Sequence, residues 1–388
     1  MPVSDSRIAV LFIISSLRFG GAEKHTVTLA NQLDATRFRL GIAYLKREEH
    51  LLTELDQGRI EAWCGDFGRG WDTSGMLRLR TMILRFHPDV VVCVNTYPLF
   101  YAHLVKSLTA HRYRIVEIYH TTELPDAKSR RHQFVYRWFF NRSDRIVYVS
   151  NNQQRYWEAR GIRTDRGLCI HNGIDAESFR DRYSKEEKNE LRVNHGFSPH
   201  DFVVGICAAL RPEKMHGDLL LGLERLKQQG RLIKVLIIGD GPERKNIENQ
   251  IRALNLVRDV AITGFQSDVR PFVAACNCMT LVSTVETFSI AALESMALGK
   301  PMVMSDVGGA AEQVEHGENG FLFPRGDIEL LSRAIAIFAD NPNLTDRMGR
   351  KARSMVIKLF SQGYMVDRYA TTIAIETDSF RLRKKIHD

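Results

Sequence analysis

No apolar run in this sequence approaches the ~18–20 residues that a bilayer-crossing helix needs, so nothing in it reads as a membrane span. The first apolar run, Ile8–Ile14, follows Asp5 and Arg7 and stops at Ser15-Ser16. A cation ahead of a short apolar run can mark a signal peptide. Here the turn-like stretch Leu17–Glu23 behind it favours a buried first strand. Cysteine is scarce: six residues, at 64, 93, 169, 207, 276 and 278, with no Cys-x-x-Cys. Cys276-x-Cys278 lacks a second ligand pair, which argues against zinc. Several of the cysteines fall in apolar strands and are expected in the core, in a protein kept in a reducing cytoplasm. No period of 20–50 residues repeats, so a solenoid is excluded. There is also no zinc finger, RNP-type aromatic motif or basic recognition helix. The net charge of +8 therefore points to lipid or phosphate rather than nucleic acid.

What is present is a globular composition, 44% hydrophobic and 26% charged, in 388 residues, enough for two domains. Short apolar runs alternate with amphipathic stretches. Strands are expected at Ile8–Ile14, Leu40–Leu45, Asp89–Val94, Ile115–Tyr119 and Arg145–Val149. Helices are expected at Ala22–Leu33, Met76–Phe86 and near Arg131–Phe140. Such a rhythm implies a parallel sheet covered on both faces. Between Gly173 and Asp201 the rhythm breaks, and the interdomain linker is expected before or within the charge-dense stretch Asp181–Arg192. The rhythm then restarts. Strands are expected at Phe202–Ala208, Ile233–Ile238, Val260–Thr263, Cys278–Leu281 and Pro301–Met304, with helices between and after them. Two doubly wound α/β domains facing each other across a cleft are the simplest architecture, with ligands at the carboxyl ends of the strands.

Several short motifs fall at those strand ends. Gly20-Gly21-Ala22-Glu23 lies between the first strand and first helix, where glycines allow a phosphate close to backbone N–H groups. A tight turn explains them equally well, and the pattern is not a dinucleotide fingerprint. Gly239-Asp240-Gly241-Pro242 and Gly264-Phe265 are similar turns in the second half, the latter placed where backbone could reach a nucleotide base. Arg211 and Lys214 follow the strand Phe202–Ala208 and could neutralise a diphosphate. His120 ends a strand; packing and site roles are equally open. His171-Asn172-Gly173 closes the first half, where Asn-Gly can simply turn. The strongest signal is Glu286-Thr-Phe288-Ser289-Ile290-Ala-Ala-Leu-Glu294. The helix is expected to start near Phe288 or Ser289, which puts Glu294 roughly 8 Å along its axis. That is about the span of a pyrophosphate, with one carboxylate beside a sugar and the other on a ribose. Glu294 lies among apolar residues, where a carboxylate needs a partner.

Taken together, these residues resemble glycosyltransferase family 4, retaining enzymes with the GT-B fold of two Rossmann-like domains. The resemblance covers nearly the whole chain. Gly20-Gly21 corresponds to its N-terminal phosphate loop, His120 to its cleft histidine, and Val149-Ser150 and Asn172-Gly173-Ile174-Asp175 to two further landmarks. Arg211 and Lys214 correspond to its cationic pair, and Glu286 and Glu294 to its E-x7-E element. Ala209-Leu210-Arg211 departs from the usual Gly-Arg-Leu, and Ser289 stands where the family has glycine. A backbone N–H at Ser289 is expected to stay available for phosphate. The resemblance implies an N-terminal acceptor-side domain over residues 1–178 with a returning helix at 362–388, and a nucleotide-sugar domain over 179–361. It further implies that His120, Arg211, Lys214 and Glu286 are catalytic. Gly20, Gly21, Gly239, Gly241, Gly264, Phe265, Phe288, Ser289, Ile290 and Glu294 would hold the donor, and Asn172 would lie on the acceptor side.

The implied activity is transfer of a sugar, from a UDP-sugar before a GDP-sugar, to a glycan or lipid-linked acceptor in cell-surface polysaccharide, lipopolysaccharide or glycolipid synthesis. No cofactor is expected, and no metal, because the sequence contains no Asp-x-Asp. Epimerase or phosphorylase chemistry on the same fold, and a non-catalytic binding subunit, are the rival readings. A cytoplasmic protein is expected, with an anionic membrane surface as a further candidate partner. Lys128, Arg130, Arg131, Arg137, Arg142 and Arg145 interleave there with Phe134, Val135, Trp138, Phe139 and Phe140. Packing of those rings on the sheet is the competing expectation.

Overall fold

A computed structural model describes residues 6–68, 72–122, 134 and 136–387. The chain divides into two units, Met1–His171 with Met365–Asp388, and Asn172–Tyr364. In the first, seven strands run β1 (Ile8–Ile14), β2 (Phe38–Tyr44), β3 (Ile60–Cys64), β4 (Val90–Val94), β5 (Arg114–Tyr119), β6 (Arg145–Tyr148) and β7 (Gly167–Cys169). Their spatial order is β3-β2-β1-β4-β5-β6-β7, and all pairings are parallel. Helices α1 (Gly21–Gln32), α2 (Thr73–Phe86), α3 (Thr96–Ser107) and α4 (Asn151–Glu158) connect them.

Alternation along β1 explains the two-sided burial. Val10, Phe12 and Ile14 join one core with Val116, Ile118, Tyr369 and Ile373. Leu11 and Ile13 join the other with Leu79, Ile83, Tyr119 and Trp157. A parallel strand buried on both faces has to be apolar throughout, which is why β1 and β4 read as unbroken apolar runs.

The second unit holds α5 (Lys185–Asn194), β8 (Phe202–Cys207), α6 (His216–Gln228), β9 (Ile233–Ile238), α7 (Arg244–Ala253), β10 (Val260–Ile262), α8 (Arg270–Ala275), β11 (Cys278–Leu281) and α9 (Ile290–Ala297). After these come β12 (Met302–Ser305), α10 (Ala310–Gln313), β13 (Gly320–Phe323), α11 (Ile328–Asp340) and α12 (Pro342–Leu359). Its sheet order is β10-β9-β8-β11-β12-β13.

The terminal helix α13 (Gln362–His387) returns to the first unit from Met365 onward. Its Glu376, 2% exposed, accepts hydrogen bonds from Arg114 (2.7 Å) and from Arg145 (2.7 and 2.9 Å). A buried carboxylate held by two guanidinium groups fixes this helix across β5 and β6.

Two expectations need correction. Most of the charge-dense stretch forms the helix α5, and the division of the chain lies before it. Ser184 accepts from the Glu187 N–H while Glu187 accepts from the Ser184 N–H, a reciprocal cap. Arg192 then bonds the Ala275 carbonyl and Asn277, tying α5 to the second unit. The division of the chain falls between His171 and Asn172, seven residues ahead of the expected position. Among the described residues no helix is long and apolar enough to cross a membrane.

Candidate active site

In the second unit the two cations and Glu286 sit on neighbouring strand ends, because β8 and β11 pair directly. Arg211 precedes a single 3-10 turn, Pro212–Lys214, and Met215 follows in the left-handed region at φ 47°. That reversal starts α6 at His216. Lys214 Nζ lies 2.5 Å from Glu286 Oε1, and the same oxygen accepts the Ser283 hydroxyl at 2.8 Å. Arg211 is exposed and has no carboxylate partner among the described residues.

The glycine turn at 239–241 serves this loop. A Cβ on Gly239 would sit 2.1 Å from the Ala208 carbonyl oxygen, and one on Gly241 2.5 Å from that of Leu210. Leu210 N–H donates to the Asp240 carbonyl, and Glu243 N–H to that of Leu210. These glycines therefore let the turn press against the segment that carries Arg211. They do not open a helix: α7 begins only at Arg244. Gly264 adopts φ 76°, which only glycine takes readily, and the neighbouring Phe265 is 58% exposed.

The Glu286–Glu294 segment is braced from three sides. Ser289 caps α9 by accepting from the Ala292 N–H at 3.3 Å. Gln313 takes both polar groups of the Ser289 backbone: its Oε1 accepts the Ser289 N–H (3.0 Å) and its Nε2 donates to the Ser289 carbonyl (2.8 Å). The Ser289 N–H expected to face phosphate is therefore occupied. The Ile290 and Ala291 N–H groups have no partner among the described residues. Phe288, expected at the donor, is 4% exposed and packs its ring on Phe360, centroids 5.2 Å apart. Its carbonyl accepts Asn172 Nδ2 at 3.0 Å. Asn172, expected on the acceptor side, thus lies in the second unit and steadies this loop. Gly308 closes the bracket, since a Cβ there would fall 1.5 Å from the Glu286 carbonyl oxygen. Glu294 is 7% exposed, the fifth residue of α9 and past its first turn.

In the first unit, His120 follows β5. Its N–H donates to Asn95 Oδ1 at 2.9 Å, and Asn95 N–H donates to the Ile118 carbonyl at 3.0 Å. Asn95 itself sits at φ 68°, a conformation that asparagine tolerates better than most residues. On the other side, Gln153 Nε2 donates to the Tyr119 carbonyl (2.7 Å) and the Thr121 carbonyl (3.0 Å). Ser150 caps α4 and so places Gln153, which gives Val149-Ser150 its structural meaning. The His120 ring meets the His25 ring edge-on at 5.0 Å, and His25 meets Tyr369 at 5.4 Å. Burial lowers the His25 imidazole to about pKa 4. Burial and the neighbouring His25 push His120 well below its ordinary value. Both rings are neutral at pH 7. Gly20 and Gly21 open α1, with Gly20 in extended backbone at φ −173°. A Cβ on Gly20 would meet only the end of the flexible Glu23 side chain, and its extended backbone is open to any residue.

The sequence reading missed Asn95, Gln153, Gln313 and Gly308. Each acts through polar or steric contacts to residues more than twenty positions away, and no local spacing announces it.

Of the basic-aromatic segment, Lys128, Arg130, Arg131 and Val135 lie outside the described residues. Phe140 is fully buried, whereas Trp138 and Phe134 are 51% and 70% exposed. Arg142 stacks over Trp138 at 3.6 Å and Arg137 over Phe134 at 4.9 Å. Arg145 is committed to Glu376.

Comparison with known proteins accounts for both halves. The family described as Glycosyltransferase Family 4 matches residues 19–178, and Glycosyl transferases group 1 matches residues 187–355. The chain is 26% identical over 255 residues to the putative glycosyltransferase EpsD of Bacillus subtilis, covering 65% of this chain and 66% of that one. It is 27% identical over 273 residues to the N-acetyl-alpha-D-glucosaminyl L-malate synthase of Bacillus anthracis, covering 70% of each. These matches span about two thirds of the relatives' own length. Among solved structures, Anabaena HepE in complex with UDP-glucose superposes with a TM-score of 0.83 at 24% identity, covering 95% of this chain and all of that one. That likeness establishes the GT-B fold.

Proposed function

The chain belongs to the glycosyltransferases, Family 4 in its first half and group 1 in its second, and from that premise we propose a retaining, metal-independent reaction. The donor is a nucleotide-diphosphate sugar, UDP-sugar by preference. The acceptor is a glycan or a lipid-linked glycan in cell-surface polysaccharide, lipopolysaccharide or glycolipid synthesis. The observation that carries this reading is the Lys214–Glu286 pair beside the uncommitted Arg211 at adjacent strand ends. As the bond from the anomeric carbon to the diphosphate oxygen breaks, negative charge grows on the leaving group. Arg211, Lys214 and the open N–H groups at the start of α9 are suited to that charge. Glu286 is suited to the sugar hydroxyls and Glu294 to the ribose. The acceptor oxygen attacks the same face, and its proton passes to the departing phosphate. The UDP complexes of HepE support UDP as the first donor to test.

The exposed Phe134 and Trp138, each under an arginine, support peripheral binding to an anionic leaflet. Liposome co-sedimentation at low salt reads this directly. Binding that does not depend on anionic lipid would remove it.

The reaction itself is tested by thermal-shift screening against nucleotide sugars, then by turnover with EDTA and NMR of the product. Activity should persist in EDTA and the anomeric configuration should be kept. Strict dependence on added Mg²⁺ or Mn²⁺, or an inverted product, refutes the mechanism.

A further inference from the structure

Helix α1 carries an imidazole where packing alone calls for a hydrocarbon. His25, the fifth residue of α1, is 3% exposed. Its neighbours on that helix, Val27, Leu29 and Ala30, share an apolar core with Tyr369 of α13. Neither nitrogen of His25 has a hydrogen-bond partner among the described residues, and the Tyr369 hydroxyl has none either. An unpaired buried polar group costs free energy that a phenyl ring would not. Departures from local consistency of this kind are kept at functional sites.

The contacts of the ring show where it acts. His25 meets the His120 ring with centroids 5.0 Å apart and planes at 68°, and the Tyr369 ring at 5.4 Å and 63°. The three rings form a row from the end of β5, through α1, to α13. Asn95 holds the His120 N–H, and Gln153 the carbonyls of Tyr119 and Thr121. Those bonds fix the main chain on both sides of His120 and leave the ring to its side-chain contacts. His25 supplies a flat and polar one. Burial holds both imidazoles below their ordinary range, so His25 acts on His120 through shape and dipole rather than charge. Which nitrogen of an imidazole carries the proton depends on the groups around the ring.

We propose that His25 is a positioning residue of the transfer reaction, holding the His120 ring in the orientation and tautomer that meet the sugar. The proposal rests on the reading of His120 as a group that touches the sugar. Misplacing a reacting group by about 1 Å can cost on the order of 10²-fold in rate, so a residue that never meets substrate can still set turnover.

His25→Phe separates shape from dipole, since it keeps a ring and loses both nitrogens. The test uses the full chain and, as donor, whichever UDP- or GDP-sugar gives the largest thermal shift. In a variant shown to be folded by circular dichroism, kcat should fall about tenfold, with KM for the donor changed by less than about twofold. Histidine-selective 15N NMR, with the His120 signals assigned by their loss in His120→Gln, should show a changed tautomer pattern for His120. Added to His120→Gln, His25→Phe should cost no further activity, because its effect runs through His120. His25→Leu, which loses the ring as well, should slow turnover at least as much, and it replaces His25→Phe if that variant does not fold. A folded variant with wild-type kcat, an unmoved His120 tautomer pattern, or the same loss of activity with and without His120 overturns the proposal. Normal turnover by His120→Gln would instead refute the catalytic reading of His120, and with it the part of His25 in turnover.

Discussion

Arg211 and Lys214 are both cations at the end of β8, but the structure gives them different standing. Lys214 is already neutralised by Glu286, while Arg211 has no such partner. Arg211→Ala should therefore remove charge stabilisation from the leaving diphosphate alone, cutting kcat on the order of 10²-fold. Lys214→Ala should cut kcat by at least as much, since it also strands Glu286 beside the donor. Near-normal turnover in either variant would remove that residue from the mechanism. Met215, between Lys214 and α6, adopts φ 47°. A non-glycine residue there carries strain of about 1–2 kcal/mol, part of which Met215→Gly returns through a more flexible unfolded chain. The expected net gain is on the order of 0.5–1 kcal/mol, a rise in Tm of a few degrees. A fall in Tm would mean that the methionine side chain contributes more by packing than its backbone costs.

At the scale of elements, the start of α9 depends on α10, because Gln313 answers both backbone groups of Ser289. Gln313 is fully buried, so Gln313→Leu leaves an N–H and a carbonyl unsatisfied at about 1–3 kcal/mol each. The variant should melt several degrees lower. Its KM for the nucleotide sugar should rise more than its kcat falls, because loosening the segment that holds Glu286 and Glu294 weakens the bound ground state and the transition state alike. An unaltered KM together with a lowered Tm would confine Gln313 to a structural role.

For the whole molecule, buried imidazoles set the response to acid. Burial lowers His25, His103 and His216 each to about pKa 4, and His120 shifts the same way. An unfolded imidazole titrates near 6.5, so between pH 6.5 and 4 the unfolded chain binds more protons. Stability is therefore complete above about pH 6.5 and is lost as pH falls toward 4. Glu117 works in the opposite sense: full burial in β5 raises its carboxyl well above the usual range, and its penalty is relieved on acidification. Burial raises the Asp218 carboxyl as well, but four imidazoles outweigh two carboxyls, so Tm should drop steeply across this window. Neither His25 nitrogen has a hydrogen-bond partner among the described residues. His25→Phe should keep the ring contacts to His120 and Tyr369 and flatten the acid limb, by on the order of 3 kcal/mol at pH 4. An acid limb of unchanged steepness would show that His25 is protonated without cost.

The sequence by itself determined the parallel sheets and the helix that begins at Ser289 between Glu286 and Glu294. Both are local: β1, β9 and β11 begin and end where their apolar runs do, and the Ser289 cap lies within the motif it starts. Periodicity and turn chemistry register such features because they act over a few residues. The reciprocal cap at Ser184 and Glu187 was legible in the same way, but a dense run of charge concealed it. Short strands such as β7 and β13, three and four residues long, lack a strong local period. Only the tertiary structure decided that Phe288 is core, that Asn172 belongs with the Phe288 loop, and that Gly239 and Gly241 serve Arg211. It alone brought Asn95 and Gln153 to either side of His120. Those contacts join residues far apart in sequence, and their energies come from burial and hydrogen bonding that exist only once the sheets have assembled.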